Sequence, residues 1–173
     1  MSESGETTSN RRDTRRPVVH TGVVVSVNVP AGGVPKRPVD RVRVSVHGMG
    51  GDQQRNLAHH GGKRRALCLY SADLIDALRA EGHSIGTGDA GENLTVRGVP
   101  LDAMAGGARL RIGDVVAEVT GFADACHNLR PYFTDQAFAR ISQKVHPGWS
   151  RVHARVVRAG VVARGDTFSV VDA

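Results

Sequence analysis

Apolar residues in this chain fall mostly in short runs that alternate or are nearly continuous, and seldom at helical spacing. Val18 to Val29 is rich in valine with Ser and Thr between, which is strand composition. Val39 to His47 alternates, with Val42, Val44 and Val46 against Arg41, Arg43 and Ser45, and reads as a half-buried strand. Ala66 to Tyr70 is a short buried strand, and Leu94 to Val96 another. Ala108 to Thr120 reads as two strands joined in a tight hairpin at Gly113-Asp114. Val152 to Val162 reads as one long strand, Arg164-Gly165-Asp166 as a second Gly-Asp hairpin turn, and Thr167 to Val171 as the last strand. Helical spacing shows twice. Ser71 is a plausible N-cap for a helix whose Leu74, Ile75 and Leu78 share a face and whose stop is Gly82. Thr134 to Val145 reads as a second helix capped by Thr134, with Phe138, Ile141 and Val145 inward and Pro147-Gly148 ending it.

Seven or eight short strands and two helices, without β-α-β alternation and without a G-x-G-x-x-G opening a helix, disfavour a Rossmann sheet. Regular short strands separated by turn signals predict a mainly β protein, a closed or nearly closed β-barrel with about two peripheral helices. Residues 17–173 form one domain. Met1 to Arg16 has no apolar residue after Met1 and reads as a disordered tail.

The chain carries 23 Lys and Arg against 17 Asp and Glu, a net +6, so its surface favours anions. Aromatics are only 4%, which leaves few platforms for stacking on single-stranded nucleic acid, and no recognition-helix motif is visible; both argue against a nucleic-acid partner. No stretch approaches the ~18 apolar residues of a membrane span. The two cysteines, Cys68 and Cys126, form no C-x-x-C pair and fit reduced thiols in a cytoplasmic protein.

Cys126 follows a strand-like run that ends at Gly121, and Pro131 closes the segment after it. A thiol on a loop past a strand can be reached by a ligand. It reacts as the thiolate, which nearby positive charge favours, and His127 and Arg130 are close in sequence. The opposing reading is a small buried hydrophobe, and Cys68 inside A-L-C-L-Y fits that reading well. His59-His60-Gly61-Gly62-Lys63-Arg64-Arg65 offers imidazoles, two glycines and three adjacent cations, either an anion site or a solvated charge run. Glu92 and Asn93, in Gly91-Glu92-Asn93-Leu94-Thr95, can read the polar edge of a heterocycle or orient a loop.

The ordered set His60-Gly61-Gly62 with Arg65-Ala66 and Tyr70, then Gly91-Glu92-Asn93-Leu94-Thr95, Leu110 to Asp114, Thr120-Gly121 and Cys126 resembles the MOSC domain, the family named for the C-terminal domain of molybdenum cofactor sulfurase. The likeness is to its small stand-alone bacterial members and spans about Thr21 to Val171. It implies a β-barrel with a few peripheral helices and a ligand that is molybdenum cofactor, a pterin dithiolene with a phosphate. The family's cysteine falls on Cys126. There it would ligate molybdenum in members that reduce N-hydroxylated compounds, or carry sulfur received from a pyridoxal-phosphate cysteine desulfurase. The first role takes a small-molecule substrate and needs electron-transfer proteins as partners. His127 or His60 could supply protons. Gly61, Gly62, Lys63, Arg64, Arg65, Glu92, Asn93 and Arg130 are the candidate cofactor contacts, the basic cluster being matched to the phosphate by charge. Ala125 stands where the family often has proline, and Ala90 where many members have an aromatic.

Overall fold

The structure, a computed structural model, describes residues 18–49 and 62–171. Eleven strands are present among them: β1 (Val18–Pro30), β2 (Lys36–Val39), β3 (Arg41–Ser45), β4 (Gly48–Met49), β5 (Leu67–Ser71), β6 (Leu94–Arg97), β7 (Arg109–Ile112), β8 (Val115–Phe122), β9 (Val152–Arg158), β10 (Gly160–Ala163) and β11 (Thr167–Val171). Seven of them close a ring in the order β1-β11-β7-β8-β9-β5-β6, with β6 returning to β1 and β2 added outside β1. The pairings are antiparallel except β5 with β6. Closure removes exposed strand edges from the ring. The expected mainly β closed barrel is what the chain forms. The expected tail lies outside the described residues.

Alternation fills the barrel. Leu67 and Leu69, Leu94 and Val96, Leu110 and Ile112, Val115, Ala117 and Val119, and Phe168 and Val170 all belong to one buried cluster. β5 is buried along its whole length, on both faces. Tyr70 points to the other side, into a second cluster with Ile75, Leu78, Ile85, Leu129, Phe133 and Ile141. By the period of two, Cys68 shares that outer face with Tyr70. A second layer therefore covers the barrel wall here. It is built from α1 (Ala72–Ala80) and the turns that follow β8.

The helix at Ser71 forms as read: the Ser71 hydroxyl accepts from the Leu74 N–H at 3.3 Å, and Ile75 and Leu78 are buried. The second helical region is present but differs. Instead of one α-helix from Thr134 to Val145, the chain winds through short 3-10 turns at His127–Tyr132, Thr134–Gln136 and Phe138–Ile141. The Thr134 hydroxyl does not cap; it donates to the Gly82 carbonyl at 2.8 Å. Asp135 and Gln136 take φ of 55° and 57°, which a continuing right-handed helix forbids. Arg140 is drawn across to Glu81, at 2.6 and 2.9 Å, and lies 3.6 Å over the Trp149 ring. Val145, expected inward, is exposed.

Two strand readings also change. Val152 to Val162 breaks after Arg158, so that β9 stays in the barrel while β10 joins a small sheet in the order β10-β3-β4. Gly113-Asp114 is a two-residue hairpin, with Ile112 opposite Val115. Gly165-Asp166 is not one. It turns the chain from the small sheet back to the barrel, held by Val24 N–H to the Asp166 carbonyl at 2.9 Å.

Replacing Ser71 by Ala removes the cap of α1. It should lower stability by about 1 kcal/mol, read by denaturant titration with an unchanged slope.

Candidate functional site

Cys126 sits just past the end of β8, half-buried, with extended backbone, immediately before the turn His127–Tyr132. Its carbonyl accepts from Leu129 N–H at 3.1 Å, which starts that turn. Its side chain lies against the outer cluster that holds Tyr70, Ala90 and Leu129. The residue is thus neither sealed in the wall nor fully exposed, and hydrocarbon backs its side chain. Cys68 is the opposite case. It is buried, and burial pushes its thiol up, outweighing the nearby charges of Arg151 and Lys36.

Glu92 and Asn93 are fully inside. Asn93 offers its side-chain oxygen to the Cys68 N–H at 3.0 Å, while its own N–H goes to the Cys68 carbonyl at 2.7 Å. Its carbonyl accepts from Asn28 N–H at 2.7 Å. This single residue thus stitches the start of β6 to β5 and β1. Glu92 is 0% exposed. Its Oε1 accepts from Gly88 N–H and from the Thr95 hydroxyl, each at 2.7 Å. Gly88 has φ of 84°, and a Cβ there would collide with the Lys36 carbonyl, so the loop needs glycine to aim that N–H. The other oxygen, Oε2, has no hydrogen-bond partner among the described residues. Burial raises the Glu92 carboxyl, opposed by those hydrogen bonds and by the charge of Arg151. Of the two readings the sequence left open for Glu92 and Asn93, these contacts are those of loop orientation.

Arg151, which sequence reasoning did not single out, joins these parts. It precedes β9 and is 8% exposed. One terminal nitrogen donates to the Ala90 carbonyl and the other to the Asp124 carbonyl, both at 2.5 Å. Ala90 leads into Gly91-Glu92-Asn93; Asp124 is two residues before Cys126. The guanidinium therefore clamps the Gly-Glu-Asn loop to the cysteine loop. The Ala123 N–H bonded to the Arg151 carbonyl at 2.9 Å and the Ser150 hydroxyl bonded to the Ala123 carbonyl at 2.8 Å reinforce the junction. Nothing in one sequence separates Arg151 from Arg155, which lies exposed on β9 and pairs with Glu118 at 2.9 Å.

The other candidates fall as follows. Lys63–Arg65 forms an exposed 3-10 turn preceded by Gly62, whose φ is 77°. The Thr120 hydroxyl donates to the Arg64 carbonyl at 2.6 Å, which ties the basic turn to the end of the strand that leads to Cys126. His127 is exposed. Arg130 is exposed too, its guanidinium 5.8 Å from the Phe138 ring centre. His60 and Gly61 lie outside the described residues. Among the described residues no three metal-binding side chains converge, and no helix is long and apolar enough to cross a membrane. A groove of about 920 Å³ has Leu74 and Phe122 in its wall, and Cys126 is not among its lining residues.

Two substitutions probe this node. Arg151→Met leaves the buried Ala90 carbonyl and the Asp124 carbonyl without this donor and should cost roughly 3 kcal/mol, measured by chemical denaturation. Glu92→Gln keeps the acceptor for Gly88 and Thr95 but cannot ionise. The native carboxyl is raised, so the wild type holds this stability at low pH and loses it as pH rises from the ordinary carboxyl value of about 4.3 through the native value. The difference in melting temperature between Glu92→Gln and wild type should therefore shift in favour of Gln as pH rises. A constant difference would contradict that origin.

Residues 56–169 match the sequence profile of the MOSC domain. Protein YflK of Bacillus subtilis (strain 168) is 27% identical over 141 residues, 80% of this chain and 63% of YflK, so the chain spans just under two thirds of that relative's length. Among solved structures, the YuaD protein of Bacillus subtilis superposes with a TM-score of 0.74 at 17% identity, over 88% of this chain and 97% of its own. YiiM of Geobacillus stearothermophilus superposes with a TM-score of 0.68 at 22% identity, over 87% and 75%. These two likenesses are of fold. The sequence match takes in well over half of the chain, from before the basic turn to the last strand, and includes Glu92, Asn93, Cys126 and Arg151: the chain belongs to the MOSC domain family.

Proposed function

We propose that this protein binds molybdenum cofactor and uses the Cys126 thiolate as a protein ligand to the metal, in reduction of N-hydroxylated or related N–O substrates. The observation that carries the reading is the contrast between the two thiols. Cys126 is half-exposed on a loop clamped by Arg151, whereas Cys68 is sealed in the wall of the barrel with its thiol pushed up by burial. A soft thiolate suits such a metal.

The donor set fits this cofactor better than a bare ion. One thiolate with no converging trio of metal-binding side chains among the described residues would hold a free cation poorly. A metal that arrives with its own dithiolene sulfurs needs only one ligand from the protein. Cys126 would give that ligand. Lys63, Arg64 and Arg65, on a turn fixed to β8 through Thr120, would meet the phosphate as point charges and forks. Arg151 and the buried Glu92 would keep the cysteine loop from shifting when the guest docks. The bound cofactor would supply two-electron redox chemistry. The overall change is R–NHOH plus two electrons and two protons giving R–NH2 and water, with the electrons delivered by a separate electron-transfer protein. His127, exposed one residue from the thiol, would pass protons from solvent.

The same half-exposed position favours a second reading, in which Cys126 accepts persulfide sulfur from a cysteine desulfurase and passes it on. Protein made in a cofactor-competent host separates the two. The first reading predicts near-stoichiometric molybdenum and fluorescent oxidised pterin on denaturation, both lost in Cys126→Ala and kept in Cys68→Ala. A wild-type protein without molybdenum, but gaining one sulfur on Cys126 after incubation with a desulfurase, would replace the first reading with the second.

A further inference from the structure

The groove of about 920 Å³ is a candidate site in its own right. Its walls are the start of α1 at Ser71, Asp73 and Leu74, the segment Gly98 to Asp102 after β6, Phe122 at the end of β8, and Gln143 with Pro147 and Gly148. The volume is in the range that holds small ligands. Three features give it a chemical character.

First, its lining is largely apolar, and Phe122 stands 42% exposed in it. The chain has four phenylalanines; Phe133 and Phe168 are buried and Phe138 is half-buried. An aromatic left uncovered beside a concave surface is a platform for a flat apolar group. Second, the chain has 23 lysines and arginines, yet none lines this groove, whereas Asp73 and Asp102 do. The charge of the groove thus runs against that of the molecule. Asp73 is already engaged: its oxygens accept from Arg97 at 3.1 Å and from Gly98 N–H at 2.9 Å. Asp102, exposed at the start of a 3-10 turn, is the carboxylate placed to meet a cation. Third, the wall at Gly148 is held in shape, since its N–H donates to the Gln143 side chain at 3.0 Å.

We propose that this groove binds a small flat apolar molecule with a cationic head, the ring on Phe122 and the head toward Asp102. An anionic ligand of the same shape is disfavoured by Asp102. The groove's chemistry does not depend on what Cys126 carries, although Phe122 is four residues before Cys126 and Leu74 packs against the cluster on which Cys126 rests.

The single tryptophan, Trp149, directly follows Gly148 of the groove wall, and its fluorescence is the readout. Benzylammonium is the probe, with phenylacetate and methylammonium as matched partners lacking the cation or the ring. Benzylammonium should change the emission saturably, with a dissociation constant of about 1 mM. Binding should weaken about fivefold in Phe122→Ala and about threefold in Asp102→Asn. Both side chains are exposed, and a melting curve for each variant checks that it is folded. Phenylacetate and methylammonium should each bind at least about tenfold more weakly than benzylammonium. No saturable change with benzylammonium, equal binding of phenylacetate, or wild-type binding in both folded variants would overturn the proposal.

Discussion

The arrangement at Cys126 depends on one buried guanidinium. Removing an arginine from water is costly unless its donors find acceptors. The two terminal nitrogens of Arg151 find them on two irregular loops, at the Ala90 and Asp124 carbonyls, which are 61 and 27 residues away in sequence, while its Nε has no partner among the described residues. The barrel core cannot hold these loops, because they lie outside the ring of strands. Without the clamp, the cysteine segment would keep its tie where β8 ends, the bonds of Ala123 to Arg151 and Ser150, and the packing of Leu129 and Cys126 on the outer cluster, but nothing would tie Asp124 to the Gly-Glu-Asn loop through this side chain. With it, the position of Asp124, and so of the chain two residues on, is set by the same side chain that fixes the Gly-Glu-Asn loop. Glu92 is its counterpart, held from Gly88 and Thr95 and buried with one oxygen unpartnered among the described residues. The charge of Arg151 opposes the effect of burial on Glu92.

The fold makes this node possible by giving β5 two buried faces. Leu67 and Leu69 look into the barrel, while Cys68 and Tyr70 lie under a second layer of α1 and 3-10 turns. A wall covered on both sides needs its polar groups satisfied, and Asn93 does this through Cys68 and Asn28. The outer layer has two kinds of charged surface. The basic turn Lys63–Arg65 is anchored near the exit of β8, and the groove beside Phe122 has carboxylates and no cation among its lining residues. Anionic and cationic guests would thus be sorted to different surfaces of the molecule.

Much of the barrel was legible because alternation and turn chemistry are local. The Gly113-Asp114 hairpin, the Ser71 cap and the strand limits at Thr167–Val171 follow from a few adjacent residues. The misreadings came from ties between distant residues. Thr134 looked like a cap, but its hydroxyl is taken by Gly82, 52 positions back. Phe138 and Ile141 had helical spacing, but Arg140 between them is held by Glu81 and Trp149. The unbroken valine run from Val152 gave no sign that the chain would change sheets after Arg158. Cys126 could be chosen because it follows a strand and precedes a proline. Arg151 could not, since its burial depends on two loops that the sequence does not show to be neighbours.

The central claim is that the Cys126 sulfur is the protein's ligand to molybdenum. X-ray absorption at the molybdenum edge of cofactor-loaded protein tests it directly. The account predicts one fewer sulfur around the metal when Cys126→Ala is compared with wild type, and no change for Cys68→Ala. An equal sulfur count in wild type and Cys126→Ala would contradict it.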